Sequence, residues 1–409
     1  MNDISEIGPQ KFKVVHVITR FDKGGSAENT FLTVRDLDKD QYEVWMLCGS
    51  SHESQMGKAE QAAVKRNLAD AKKQGVHIEV LPELVRSIRP MEDIRALVAL
   101  FRMFRQLKPH IVHTHTSKAG ILGRLAALVA RVPIIVHTPH GHVFWGYFNY
   151  LTTMLFIGLE RIAATFTDRL VMLTEQERQD HLQCHIAREP KFTIIHSGVD
   201  FRLFRNVDQA AALSIRNQLS IPDDAFVIGS VGRLTPIKGH RYLLGALAAL
   251  KDRIPQAVCC LLGDGEMREA LEAEALHMGI RNRVFFLGWR PDVAEIMSMF
   301  DIFAFPSLNE GMGKVLVEAM ALGKPVVASA VGGITNLVTS GLNGILIPPG
   351  NAEILADSIE LLYRDNKVRE DMATKCKAAS DQYSSDLMVR KVEDLYSELT
   401  AQIPSSSGR

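Results

Sequence analysis

Apolar runs of strand length alternate with segments of helical period along this chain, and the alternation runs its course twice. Such a pattern dictates parallel strands joined by crossover helices, because neighbouring parallel strands need a connection long enough to return to the same end of the sheet. In the first half the predicted strands are 12–19, 42–49, 77–81, 110–115, 133–137, 169–174 and 192–196, and in the second 226–231, 258–263, 284–287, 301–306, 325–329 and 345–347. Between them HSGVDFRLFRNVDQ is polar and follows neither period, so a domain 1–200, a linker 201–210 and a domain 211–383 are expected. With 409 residues, 46% of them hydrophobic, each half can bury its own core. The fold class that follows is α/β: two Rossmann-like, doubly wound parallel-sheet domains facing a central cleft.

Chemistry concentrates in SLNEGMGKVLVEAMALGKPVVAS, where Glu310 and Glu318 flank a Gly-x-Gly turn that opens a helix. Gly311 and Gly313 loosen the turn, Val315, Leu316, Ala319, Met320 and Leu322 space an apolar face, and Gly323 then Pro325 end it. The first turn of a helix leaves N–H groups unpaired and carries partial positive charge, so Gly311, Met312, Gly313, Lys314 and Val315 form an anion site suited to a diphosphate. Glu310, ahead of the helix, can meet what hangs from the phosphates, while Glu318 can accept hydrogen bonds from a diol such as a ribose. Two carboxylates beside a phosphate site need cations. Upstream, VIGSVGRLTPIKGH supplies Arg233 and Lys238 on the turn after a buried strand, a fixed fork of donors and a mobile point charge.

Arg233, Lys238 and the Glu310-to-Glu318 motif, in this order and context, resemble the family 4 glycosyltransferases of the GT-B fold, which are retaining and use nucleotide-activated sugars. The resemblance runs from FKVVHVITRFDKGGSAENT to the last helix, 384–401, which in GT-B proteins crosses back onto the first domain. It implies donor contacts from Gly24 and Gly25, where missing side chains let backbone N–H groups approach a phosphate or the reacting sugar. Gly25 resembles the family's diphosphate-facing glycine, with Ser26 intruding on the commoner Gly-Gly-Ala-Glu wording. In VHTPHGHVFWGYF, His140 matches the position that contacts the donor sugar, and His142 is either an acceptor contact or a structural histidine. His113, His115, Ser117 and Lys118 either shape the acceptor side or cap the next helix. Gly263 and Arg290, in GDGEMREAL and FLGWRPDV, are expected to line the base and ribose, or Arg290 to serve only in a surface ion pair.

A negative feature bears on mechanism: from Ile94 to Leu159 there is no Asp or Glu. Covalent double displacement needs a carboxylate nucleophile opposite the leaving group, and the segment expected over that face offers none. Asp22 and Glu28, flanking the glycine loop, are the acids that could substitute. The expectation is a same-face reaction in which the departing phosphate takes the acceptor hydroxyl's proton, with Arg233, Lys238, Glu310 and His140 as the catalytic set. The substrates implied are a nucleotide diphosphate sugar, UDP by resemblance, and a glycan or lipid-linked acceptor.

The same stretch carries Arg95, Arg102, Arg105, Lys108, Lys118, Arg124 and Arg131 beside VFWGYFNYLTTMLFIGL. That reads either as a face for an anionic acceptor at a membrane surface or as a solvated helix face; seventeen residues, 143–159, are short for a span. Zero formal net charge argues against nucleic acid as a partner. MNDISEIGPQKFK has no apolar core, so no signal peptide is expected and the compartment is the cytosol, including the inner face of the membrane. The five cysteines read as buried thiols, without Cys-x-x-Cys spacing. Asp38-x-Asp40 reads as a solvated turn rather than a metal site, and neither a metal nor a cofactor is expected. An NAD-dependent oxidoreductase would need Gly-x-Gly-x-x-Gly, which VGRLTPIKG and GDGEMR do not complete; a sugar-nucleotide epimerase on the same fold is the nearer alternative.

Overall fold

The computed structural model describes residues 11–22, 24–50, 56–141 and 150–402 of the chain. Contacts divide it into two compact units, residues 1–198 with 385–409, and residues 199–384. In the first, β1 (Phe12–Ile18), β2 (Tyr42–Gly49), β3 (His77–Leu81), β4 (Ile111–His115), β5 (Ile134–Thr138), β6 (Arg169–Met172) and β7 (Phe192–Ile194) form a seven-stranded sheet in the order β3-β2-β1-β4-β5-β6-β7. Every pairing is parallel. Alternation along β1 decides which core each side chain enters. Val15 and Val17 pack with Ala96, Leu100 and Phe104 on one face. Val14 and Ile18 pack on the other with Met388, Val389, Val392, Leu395, Tyr396 and Leu399 of the helix Ser385–Thr400. Burying each of those helix side chains contributes roughly 1.5–3 kcal/mol relative to exposure. His16, between Val14 and Ile18, takes the same face by the two-residue period. So do His113 and His115, two and four residues after Ile111 in β4.

In the second unit β8 (Phe226–Val231), β9 (Ala257–Leu262), β10 (Val284–Gly288), β11 (Ile302–Phe305), β12 (Val326–Ser329) and β13 (Gly344–Ile347) form a six-stranded sheet in the order β10-β9-β8-β11-β12-β13. β9, β11 and β12 are buried throughout, as strands covered on both faces require. The order reverses between β8 and β11, and the crevice at the carboxyl ends of those two strands is where doubly wound sheets bind ligands.

The stretch 201–210 is not the irregular linker its polarity suggests. Phe201–Arg205 is helical, capped by Asp200, with Phe201 and Phe204 buried, and Asp208 caps the helix Gln209–Gln218. Two aromatic anchors and two aspartate caps outweigh the polar composition. The units instead divide at Gly198/Val199 and Ser384/Ser385.

Candidate functional site

The turn after β8 is fixed to both neighbouring strand ends. Leu234, 1% exposed, donates its N–H to Asp264 O at 3.0 Å and accepts from Met267 N at 2.9 Å, holding the turn to the end of β9. On the other side Leu308 N–H and Ser307 Oγ donate to Ile237 O at 2.8 and 3.2 Å. Gly239 closes the turn at φ +67°, and a Cβ there would lie 2.0 Å from Pro306 O, so only glycine fits. The result is a contact between side chains 72 residues apart: the Lys238 ammonium pairs with the Glu310 carboxylate. It also stands 5.4 Å above the Phe305 ring, and the pair is 24% and 16% exposed. Arg233, on the same turn, is exposed and its guanidinium has no partner among the described residues.

Past Glu310 the chain enters the helix Lys314–Ala321 through Gly313 at φ +74°, a left-handed residue that caps without a side-chain hydrogen bond. Its ideal Cβ position lies 3.3 Å from Glu310 Cγ and 3.5 Å from Phe305, so the helix N-terminus opens beside the Lys238–Glu310 pair. Met312 is buried under it, Gly311 is exposed, and Lys314, Val315 and Glu318 are partly exposed. The Lys238 ammonium and a helix N-terminus without a side-chain cap thus meet at the switch point, with exposed Arg233 on the turn that carries Lys238. Gly263 and Arg290 follow the neighbouring strands β9 and β10. Gly263 spends its N–H on Gly288 O at 2.9 Å, and Arg290 makes two bonds of 2.8 and 2.5 Å to Asp292, which raise the arginine's already high pKa and depress that of the aspartate. In the free protein the Arg290 guanidinium is therefore engaged in the ion-pair alternative.

In the first unit Gly24 precedes the helix Gly25–Asp36, again with no side-chain cap. A Cβ on Gly25 would meet nothing within 4 Å, so packing does not demand glycine at that position. Asp22, 5% exposed, accepts from Gly24 N–H at 2.8 Å and pairs with Arg20 Nε at 2.9 Å, which holds its carboxylate in the loop. His140 follows β5 at φ +60°, a conformation rare outside glycine and a frequent mark of functional sites. Burial pushes its imidazole down to about 3, so it is neutral. The next residue, Gly141, donates its N–H to Glu177 Oε1 at 2.9 Å, and Leu173 N–H donates to Oε2 at 2.7 Å. Glu177, 4% exposed, is a positioning acid that sequence reasoning missed; its signal was Thr174 three residues earlier, whose side chain caps the helix Glu175–Gln183. His142 lies outside the described residues.

His113 and His115 neither cap a helix nor reach the surface. They are 2% and 1% exposed on β4, where their nitrogens meet those of His16. These three histidines bring ligand atoms within 4.8 Å of one another, but the same atoms bond each other, Tyr396 and Thr138. Asp38 of the Asp38-x-Asp40 turn accepts from Asp40 N–H and Gln41 Nε2, both at 2.8 Å, and these bonds lower its pKa. All five cysteines are buried free thiols. The basic stretch is not uniform: Arg124 is fully buried with Glu160 at 2.7 Å, and Lys118 pairs with Asp93, whereas Arg95, Arg102, Arg105, Lys108 and Arg131 are exposed. The acids that pair the first two lie just outside the acid-free segment.

Residues 213–379 match the family model for glycosyl transferases group 1, and residues 23–203 that for glycosyltransferase family 4. The Escherichia coli UDP-Gal:alpha-D-GlcNAc-diphosphoundecaprenol alpha-1,3-galactosyltransferase is 31% identical over 336 residues, 81% of this chain and 86% of the relative. The capsular polysaccharide biosynthesis glycosyltransferase CapM of Staphylococcus aureus is 26% identical over 323 residues, 78% of this chain and 84% of its own. Among solved structures, Anabaena HepE in complex with UDP and glucose aligns with a TM-score of 0.79 at 24% identity, covering 95% of this chain and all of that one.

Proposed function

The chain belongs to the family 4 glycosyltransferases and has their GT-B fold, and on that premise we propose that it transfers a hexose, with retention and without a metal ion, from a UDP-sugar to a lipid-linked or glycan acceptor in cell-surface polysaccharide synthesis. The observation that carries this reading is the Lys238–Glu310 pair beside the uncapped helix N-terminus at the β8/β11 switch point. As the bond between the anomeric carbon and the diphosphate breaks, negative charge grows on the departing oxygen. Lys238, Arg233 and the N–H groups of the Lys314–Ala321 helix meet that charge where preorganised donors gain most. Glu310 holds the ammonium in place and is the group next to it that can accept from sugar hydroxyls. The departing phosphate oxygen takes the acceptor hydroxyl's proton as that hydroxyl oxygen bonds the anomeric carbon on the same face, giving glycoside and protonated UDP. The engagement of Asp22 and of both Glu177 oxygens in the hydrogen bonds described supports a reaction without a carboxylate nucleophile. The donor nucleotide and lipid carrier in the name of the E. coli relative support UDP and a lipid-linked acceptor. Oxidoreductase and epimerase readings have no comparable support.

The test is transfer of radiolabelled hexose from a panel of UDP-sugars to lipid-diphosphate-linked sugar in excess chelator. The expected result is product formation at an undiminished rate; donor binding with no transfer to any acceptor would leave a nucleotide-sugar sensor instead.

A lipid-linked acceptor requires the protein to work at a membrane surface. No helix among the described residues is long and apolar enough to cross a membrane. The helix Tyr150–Thr165, however, exposes Tyr150, Leu151, Met154, Leu155, Leu159 and Ile162 along one stripe, with Leu151 80% exposed. A stripe of this kind seats in the headgroup boundary, and the exposed arginines of the same unit add attraction to anionic lipid. Purified protein is therefore expected to float with anionic lipid vesicles, and the double substitution Leu151→Glu, Leu155→Glu to abolish flotation with thermal stability unchanged. Wild-type protein remaining at the bottom of the gradient would rule out this mode of association.

A further inference from the structure

Behind His140 stands an unbroken chain of polar groups with no charged member. His140 Nε2 lies 2.9 Å from His115 Nδ1, and His115 Nε2 lies 2.9 Å from His16 Nδ1. His16 Nε2 is 3.3 Å from the Tyr396 hydroxyl, which is 2.6 Å from His113 Nδ1, and His113 Nε2 is 2.8 Å from Thr138 Oγ1. At the open end, His140 Nδ1 is buried and makes no hydrogen bond among the described residues.

Burial keeps all four rings neutral, with His16 and His140 pushed down to about 3 and His113 and His115 held well below the usual histidine range. A neutral imidazole has one N–H and one lone pair. Each bridging ring must therefore donate at one nitrogen and accept at the other, and with the Tyr396 proton given to one of its two histidine neighbours the five bonds run as a set in one direction or the other. The tyrosine decides between them. Hydroxyl donors make the shorter bonds and ring N–H donors the longer ones, so the Tyr396 O–H donates across 2.6 Å to His113 Nδ1 and accepts across 3.3 Å from His16 Nε2–H. The rest follows: His115 Nε2–H donates to His16 Nδ1, His140 Nε2–H donates to His115 Nδ1, and His113 Nε2–H donates to Thr138 Oγ1. The unpaired atom at the open end is then a lone pair rather than an N–H, and orphaned buried N–H groups are the rarer kind.

We propose that Tyr396, in the C-terminal helix, is a positioning residue that fixes His140 as the Nε2–H tautomer through His16 and His115, so that Nδ1 is presented as an acceptor for a donor group of the substrate, such as a sugar hydroxyl. The role toward substrate rests on the glycosyltransferase reading. The tautomer does not, and it is read without ligand.

The experiment is long-range proton–nitrogen NMR of the ligand-free, full-length protein with labelled histidine at neutral pH, His140 being assigned by His140→Gln. The expected spectrum places His140 Nδ1 in the bare lone-pair range and Nε2 in the N–H range. In Tyr396→Phe both nitrogens are expected to shift toward each other as the two tautomers mix. Thr138→Val, which removes only an acceptor at the far end, leaves them in place. His16→Leu cuts the same chain nearer His140 and is expected to act as Tyr396→Phe does, should that variant not fold. A wild-type Nδ1–H, or a His140 signal unmoved in a folded Tyr396→Phe or His16→Leu protein, would overturn the assignment.

Discussion

Lys238→Ala is expected to lower turnover about 10²- to 10³-fold while the donor Michaelis constant rises less than tenfold, the signature of an interaction made chiefly in the transition state. The argument is one of timing. On the proposed reading, the diphosphate charge of the bound donor is shared over several oxygens, and the helix N-terminus and Arg233 already meet much of it. The charge that appears as the sugar leaves is new, and Lys238 is held in place to receive it by Glu310 and by the Phe305 ring. The substitution also strands the Glu310 carboxylate beside a dianion, a second source of loss. Lys238→Ala combined with Glu310→Gln separates the two: recovery of most of the lost turnover would assign the defect to the stranded carboxylate, and no recovery assigns it to the missing ammonium. Steady-state kinetics over a donor range is the measurement. A rise in the Michaelis constant alone would reduce Lys238 to ground-state binding.

Gly239→Ala is expected to destabilise the second unit by about 2–4 kcal/mol and to lower turnover at least about tenfold. Left-handed backbone at φ +67° disfavours any side chain, and the new Cβ would lie 2.0 Å from Pro306 O, a backbone atom that cannot move without shifting the end of β11. The turn carrying Lys238 and the segment leading to Glu310 would then separate together. Thermal unfolding and kinetics on the same preparation check it. Stability lost with activity intact would mean that the Lys238–Glu310 contact is not what catalysis needs.

Much of this was legible in the residues. All thirteen expected strands occur, their ends displaced by at most two residues, because the parallel sheet buries both faces and the apolar runs mark the buried length. Arg233, Lys238 and Glu310 were legible as charges on the segments that follow buried strands, and Glu318 as a carboxylate one turn into the helix beyond. That Lys238 and Glu310 touch was not, since it depends on β8 and β11 being neighbours and on the glycine that lets Pro306 approach. The helix at Phe201–Arg205 was hidden by its shortness, a single turn whose stability comes from two buried phenylalanines rather than from a period. The histidine chain was invisible because His16, His140, Tyr396 and the β4 pair His113 and His115 lie on four separate segments of the chain. Strand order, the two-residue alternation and a helix returning from the far end of the sequence bring them to one face. Glu177 shows the same limit: its carboxylate is defined by two backbone N–H groups that no local pattern announces.

What most directly tests whether the acceptor bonds the sugar on the face the diphosphate leaves is the anomeric configuration of the first product. With an α-linked UDP-hexose, proton NMR of the product formed on the acceptor, taken before any secondary hydrolysis, is expected to show the small coupling constant of an α-glycoside. A β-glycoside would mean attack from the opposite face, and the account of Lys238, Arg233 and the helix N-terminus as partners of a same-face departure would fail with it.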